Sequence, residues 1–188
     1  KAGLARDTWK NKSVKIEKLG PHIGARIHGI DLTQPLSDRL VTKINAAFLE
    51  HLVLLFPNQS LTPGQLMTFG RLFGELEPPH PLFPSHPDEP QVALILNDEA
   101  NPPENDIWHT DVTWKRTPPL GTALHAQVLP SSGGDTFWVS MNAVYEALTD
   151  AERTRFETLR AVHSIETFTG SNQDSDDGAL VRAMMDKY

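Results

Sequence analysis

The chain has 188 residues, 39% hydrophobic and 22% charged, which suits one domain with a real core. Its net charge of -7 argues against a nucleic-acid surface and against polybasic membrane docking. With no cysteine, disulfides, thiolate zinc sites, iron–sulfur clusters and a cysteine nucleophile are excluded, so any metal must use His, Asp, Glu or water.

Residues 1–12 are polar and lack the apolar core of a signal peptide, and no apolar run approaches a membrane span. They are expected to be a flexible extension, and the protein is expected in the cytoplasm. The chain opens on Lys1 rather than Met, which leaves room for residues upstream. Val14 to Leu19 alternates and predicts a strand, Gly20-Pro21 a turn, and Ile23 to Ile30 a second strand. Leu36-Ser37-Asp38 opens a helix, with Ser37 or Asp38 as N-cap and Leu40, Ile44, Ala47, Phe48 and Leu52 as its apolar stripe. Val53 to Phe56 predicts a short strand. Thr62-Pro63 starts a second helix, with Pro at the first helical position, stripe residues Leu66, Phe69, Leu72 and Phe73, and Gly74 as C-cap.

Prolines make 78–90 a loop. Gln91 to Leu96 predicts a strand, and Asn97 to Asp106 a polar loop that delivers the chain to Trp108. Thr122 to Leu129 is a further expected strand, followed by the turn Pro130-Ser131-Ser132-Gly133-Gly134 and a short strand at Phe137 to Val139. Met141 to Leu148 predicts a helix. Thr149 with Glu152 three residues on predicts the start of another. Leu159 to Ile165 reads as a strand, Gly170 to Gly178 as a flexible polar stretch, and Ala179 to Tyr188 as helical. Helices and strands first, then mostly strands, indicate an α+β fold with helices outside a β-sandwich or barrel. No glycine-rich phosphate loop joins a strand to a helix, which argues against a dinucleotide fold.

Chemistry concentrates in Trp108-His109-Thr110-Asp111-Val112-Thr113-Trp114. On a strand, His109 and Asp111 would share one face. An imidazole and a carboxylate on one face are two-thirds of the 2-His-1-carboxylate triad that holds non-haem Fe(II) and leaves positions open. The competing reading is a His–Asp surface pair. His-x-Asp proves little alone, since the chain carries a second copy, His86-Pro87-Asp88, in a proline-bounded loop where no strand fixes a common face. That copy is rejected as a metal site. His125 reads as a core or neighbouring group and His51 as a helix-end residue. His163 is ambiguous. His80, in Pro78-Pro79-His80-Pro81, is a loop His suited to an anion.

At these residues the chain resembles the taurine dioxygenase family of Fe(II)/2-oxoglutarate-dependent dioxygenases. The resemblance is carried, in order, by Lys18-Leu19-Gly20-Pro21-His22-Ile23-Gly24-Ala25, Phe73-Gly74-Glu75-Leu76, Asn101-Pro102-Pro103-Glu104-Asn105-Asp106, Trp108-His109-Thr110-Asp111-Val112-Thr113 and Gly133-Gly134-Asp135-Thr136. It implies a double-stranded β-helix (jelly-roll) core with flanking helices. It implies His109 and Asp111 as Fe(II) ligands and Thr136 as a hydroxyl on a carboxylate of the co-substrate 2-oxoglutarate. It places His80, Phe83, Asn105 and the Val112 N–H against the substrate.

Phe83 stands where taurine dioxygenase has a Tyr that contacts the taurine amine. Phe cannot make that bond, which points away from taurine itself. The implied reaction hydroxylates the carbon beside the anionic group of a small sulfonate, releasing sulfite and an aldehyde, with succinate and CO2 from 2-oxoglutarate and O2. Alternatives are the same chemistry on an alkyl sulfate or aryloxyacetate, or a half-barrel acting only as a binding module. The carboxylate of Asp111 fills a position that related halogenases leave open for halide, which favours hydroxylation. No block after Thr136 matches the distal His ligand or the Arg that pairs with 2-oxoglutarate. Residues 1–188 are therefore expected to be a single, C-terminally incomplete dioxygenase domain. The partners expected are a small organic anion and O2, with no nucleic acid or membrane, and a homo-oligomer by family analogy.

Overall fold

Alternation in Ala25–His28 puts Ala25 and Ile27 on one face and Arg26 and His28 on the other. The first two are 0% and 1% exposed, and this strand is the centre of the only sheet among the described residues. The computed structural model describes residues 14–80, 83–98 and 108–164. They hold three strands, β1 (Lys15–Lys18), β2 (Ala25–His28) and β3 (Leu54–Leu55), and four helices, α1 (Asp38–His51), α2 (Pro63–Gly70), α3 (Met141–Ala147) and α4 (Asp150–Glu157). None of these helices is long and apolar enough to cross a membrane. The expected N-terminal extension, the segment 170–178 and the helix 179–188 lie outside the described residues.

The chain divides into two compact units. The first comprises the described residues up to Leu61 together with Ala126–Thr158. β1 pairs antiparallel with β2, Lys18 opposite Ala25, and β2 pairs parallel with β3, Ala25 opposite Leu54. A parallel pair needs a crossover, and α1 supplies it. α1 buries Ile44, Ala47 and His51, one helical stripe, which closes over the sheet's apolar residues as the 3.6-residue period requires. The carbonyl of His51 accepts the N–H groups of Gly24 (2.8 Å) and Val53 (2.7 Å), tying the helix end to the strand on either side. On the outer face, the Glu17 carboxylate accepts from His28 Nε2 at 2.6 Å and lies 3.5 Å from Arg26, and the His28 bond foremost holds Glu17 below the usual carboxylate range. Ser37 is the backbone N-cap of α1 but makes no side-chain cap bond.

The second unit comprises Thr62–His125 and the described residues from Leu159 on. α2 begins at a complete capping box: Thr62 accepts from the Gln65 N–H and the Gln65 side chain from the Thr62 N–H. It buries Phe69, whose ring meets Phe73 edge-on at 5.3 Å. Replacing Thr62 by Ala leaves helical N–H groups without an acceptor, and thermal unfolding should show a loss of about 1 kcal/mol. The helix ends at Gly70, earlier than expected, and 71–73 continue as tight turns, with Leu72 N–H donating to Phe69 and Phe73 N–H to Gly70. α4 starts at a second box, Thr149 with Glu152, as the sequence predicts.

Four expected strands do not form. Across 91–96 there is one bridge, Ala93 to Ser85, with Leu94 N–H bonded to the Pro84 carbonyl; Pro84, Pro87 and Pro90 lack the donors a longer ladder would use. Segments 122–129, 137–139 and 159–164 carry no strand either. Their β-type composition is present, but a strand exists only where a neighbour completes its ladder, and no described residue does so. Their apolar side chains stay in solvent: Val128 is 90%, Phe137 75% and Val162 92% exposed. The described residues thus show a small sheet and four helices.

Candidate metal centre

Residues 108–114 are not a strand. Residues 108–110 have no regular structure and 111–114 form a turn, which Lys115 N–H closes on the Val112 carbonyl at 3.2 Å. Val112 has φ 55°, a conformation that costs a β-branched residue on the order of 1 kcal/mol. The turn, and not a pleated face, brings His109 and Asp111 together. His109 Nε2 lies 3.2 Å from Asp111 Oδ1, with both side chains about half exposed. Two cis ligands held at about 2.1 Å from one divalent ion would be about 3.0 Å apart, so the pair fits a metal with one donor from each residue. Among the described residues no group of three His, Asp or Glu side chains assembles into a metal site. The donor set, imidazole nitrogen with carboxylate oxygen, is the type that suits non-haem Fe(II).

Thr122 Oγ1 donates to Asp111 Oδ2 at 3.3 Å, leaving Oδ1 directed at His109. This partner fixes the carboxylate's orientation. Nothing in the sequence marks it, because Thr122 reads there only as the first residue of a strand.

The same unit contains His80 and Phe83. Phe83 N–H donates to His80 Nδ1 at 3.2 Å, and the two rings lie 4.6 Å apart. With Nδ1 accepting, neutral His80 carries its proton on Nε2 and presents it as a donor. Burial pushes the His80 pKa below its usual 6.5; the Asp111 charge raises it and the Lys115 charge lowers it, so both lie within electrostatic reach. A histidine whose folded pKa is depressed takes up its proton more readily when unfolded. Stability is therefore full above about pH 6.5 and falls as pH drops below it toward the folded value. Urea unfolding followed from pH 8 to 5 should show this fall, and His80→Gln should flatten it.

Val112 belongs to the 111–114 turn itself. Thr136 lies in the first unit, exposed, two residues beyond Gly134 (φ 70°), which with Gly133 (φ 76°) makes a left-handed pair that only glycine adopts without strain. Asn105 is outside the described residues. In the second His-x-Asp copy, His86 Nδ1 accepts from the Asp88 N–H at 3.2 Å, a local turn that directs one ring nitrogen at its own backbone. His163 is exposed.

Residues 15–183 match the family described as "Taurine catabolism dioxygenase TauD, TfdA family". The chain belongs to this family. Similar members of the TauD/TfdA family include the alpha-ketoglutarate-dependent sulfate ester dioxygenase of Pseudomonas putida, 34% identical over 173 residues that cover 89% of this chain and 55% of that protein. The (S)-phenoxypropionate/alpha-ketoglutarate-dioxygenase of Sphingobium herbicidovorans is 35% identical over 159 residues, 80% of this chain and 53% of that one. The crystal structure of a taurine dioxygenase from Burkholderia xenovorans superposes with a TM-score of 0.66 at 34% identity, over 81% of this chain and 54% of that one. The chain spans about half the length of the curated relatives it matches. These TauD/TfdA relatives are named as 2-oxoglutarate-dependent dioxygenases of sulfate esters and of a phenoxypropionate.

Proposed function

We propose that this TauD/TfdA chain belongs to an Fe(II)/2-oxoglutarate-dependent dioxygenase that hydroxylates the carbon beside the anionic group of a small organic sulfonate, releasing sulfite and an aldehyde. The observation that carries the reading is the convergence of His109 Nε2 and Asp111 Oδ1 at 3.2 Å, in a chain of this family. His109 and Asp111 would hold the iron from one side, with Thr122 orienting the carboxylate. With iron, 2-oxoglutarate and O2 bound, the chemistry supplied is oxidative decarboxylation to succinate and CO2 with transfer of one oxygen atom to a substrate C–H. Thr136 would donate its hydroxyl to a carboxylate of 2-oxoglutarate, and Asn105 would contact the substrate. His80, neutral with its proton on Nε2, would bind the anionic head, as would the Val112 N–H. The jelly-roll core and a single dioxygenase domain belong to the same reading.

Phe83 favours a second substrate class. Its ring lies against His80, so the wall beside the anion site is apolar and offers no acceptor to an ammonium. An alkyl sulfate or an aryloxyacetate has an apolar tail of that kind, and the relatives' names include both a sulfate ester and a phenoxypropionate.

Full-length protein supplied with Fe(II), 2-oxoglutarate and air should form succinate when given butanesulfonate, with sulfite released, and much less with taurine. Phe83→Tyr restores a hydrogen bond to a charged group and should raise taurine turnover by about tenfold. Release of sulfate from butyl sulfate, or glyoxylate from phenoxyacetate, without sulfite from any sulfonate would select the second class. No substrate-dependent succinate across the panel would overturn both.

A further inference from the structure

We propose that the ion pair between Lys115 and Glu77 is a strap that positions the His109–Asp111 turn relative to His80, a role that rests on the reading of those residues as the iron and anion site. Lys115 Nζ is bonded to Glu77 Oε2. The Lys115 side chain is only 15% exposed, whereas that of Glu77 is 46% exposed, so the lysine charge is largely withdrawn from water where it meets Glu77.

Each end of the pair is coupled to a site element by a short, stiff length of chain. On one side, the Lys115 N–H closes the turn on Val112, and Asp111 opens that turn. On the other, Glu77 is followed by Pro78 and Pro79 and then His80. Two consecutive prolines fix φ and carry the position of Glu77 through to His80 with little slack. Glu77 is itself anchored, since its carbonyl accepts Gln91 Nε2 at 3.0 Å. Both Asp111 and Lys115 act electrostatically on His80, as expected if the strap gathers the three together. Reaction at a metal centre depends on the substrate carbon being held within a narrow distance, and the pair sets the spacing between the group that would hold the anion and the groups that would hold the iron. Lys115 and Glu77 are thus positioning residues.

The test uses full-length protein, Glu77→Gln, Lys115→Gln, Lys115→Arg, and the reversed pair Glu77→Lys with Lys115→Glu. Hydrogen exchange is measured first in metal-free protein, with the amides of α2 as the control for folding. Both Gln variants should exchange the amides of residues 112–115 about tenfold faster with α2 unchanged, and Lys115→Arg and the reversed pair should return to within about twofold of the parent. In steady state, the Gln variants should raise KM for butanesulfonate or butyl sulfate, whichever the protein turns over, by about tenfold and leave KM for 2-oxoglutarate unchanged. Unchanged exchange in the Gln variants overturns the proposal, as does failure of both Lys115→Arg and the reversed pair to restore protection. Faster exchange with unchanged KM for the organic substrate would reduce the pair to a purely structural contact and also overturns it. A parent protein without turnover would overturn the proposed function instead, and exchange alone would then decide whether the strap exists.

Discussion

Asp111→Ala should lower the affinity of the full-length protein for Fe(II) by at least about 100-fold and abolish substrate-dependent succinate formation. Losing a partner in the outer shell of a metal site already costs about 10–100-fold, and Asp111 would be bonded to the ion itself. The loss is specific to chemistry. Asp111 is half exposed, its bonds are a single 3.3 Å contact from Thr122 and the pairing with His109, and no core residue leans on it, so thermal unfolding of the metal-free variant should move little. Isothermal titration with Fe(II) under anaerobic conditions gives the affinity, and a thermal scan of the same sample gives the control. Thr122→Val should weaken iron by a smaller factor, on the order of tenfold, because it frees the carboxylate without removing it. Iron binding equal in Asp111→Ala and the parent would remove the turn at 111–114 from the reaction.

Ile27→Ala should cost about 3–4 kcal/mol, the largest loss of stability expected from one substitution in the first unit. Ile27 is 1% exposed at the middle of the central strand, opposite Ile16 of β1, with Ala25 beside it on the same face and Ile44 and Ala47 of α1 among the buried residues of that unit. The cavity left by three lost carbons is flanked by Ile16 of β1 in a hydrogen-bonded sheet and has little freedom to collapse. Against a total stability of about 5–15 kcal/mol for an ordinary domain, such a loss is enough to populate the unfolded state measurably. Urea unfolding measures it as a fall in midpoint at constant slope. Arg26→Ala, on the solvent face of the same strand, should cost under about 1 kcal/mol, since it breaks only an exposed pair with Glu17.

What could be read from the residue order follows how local each feature is. The Thr62/Gln65 and Thr149/Glu152 boxes use side chains three positions apart, so both helix starts are legible without any tertiary knowledge. β1 and β2 are legible because their alternation and connecting turn coincide with partners close in the chain, and β3 as a short apolar run ended by Pro57, although its partner lies on the far side of α1. The runs at 122–129, 137–139 and 159–164 have the same composition, yet composition states only a willingness to pair, and no described residue completes the ladder. His109 and Asp111 are legible as a spacing, but the reason given for their convergence is wrong: a left-handed Val112 and a turn replace the pleat, and no β-branched residue advertises a positive φ. Thr122 on Asp111 and Glu77 on Lys115 are separated by 11 and 38 positions, and contacts at such range leave no trace in a single sequence.

The double use of the His51 carbonyl has a consequence for the order in which the first unit assembles. β1 and β2 are joined by residues 19–24 alone and can zip as a local hairpin. β3 must meet β2 across the whole of α1, and closing the longer loop costs about 1 kcal/mol more entropy before any contact repays it. The N–H groups of Gly24 and Val53 reach the same oxygen only when the helix end has arrived between them. The Gly24 bond to that oxygen therefore latches the helix end to the strand, and by loop length the docking of the α1 terminus is expected to follow the closing of the β1–β2 hairpin.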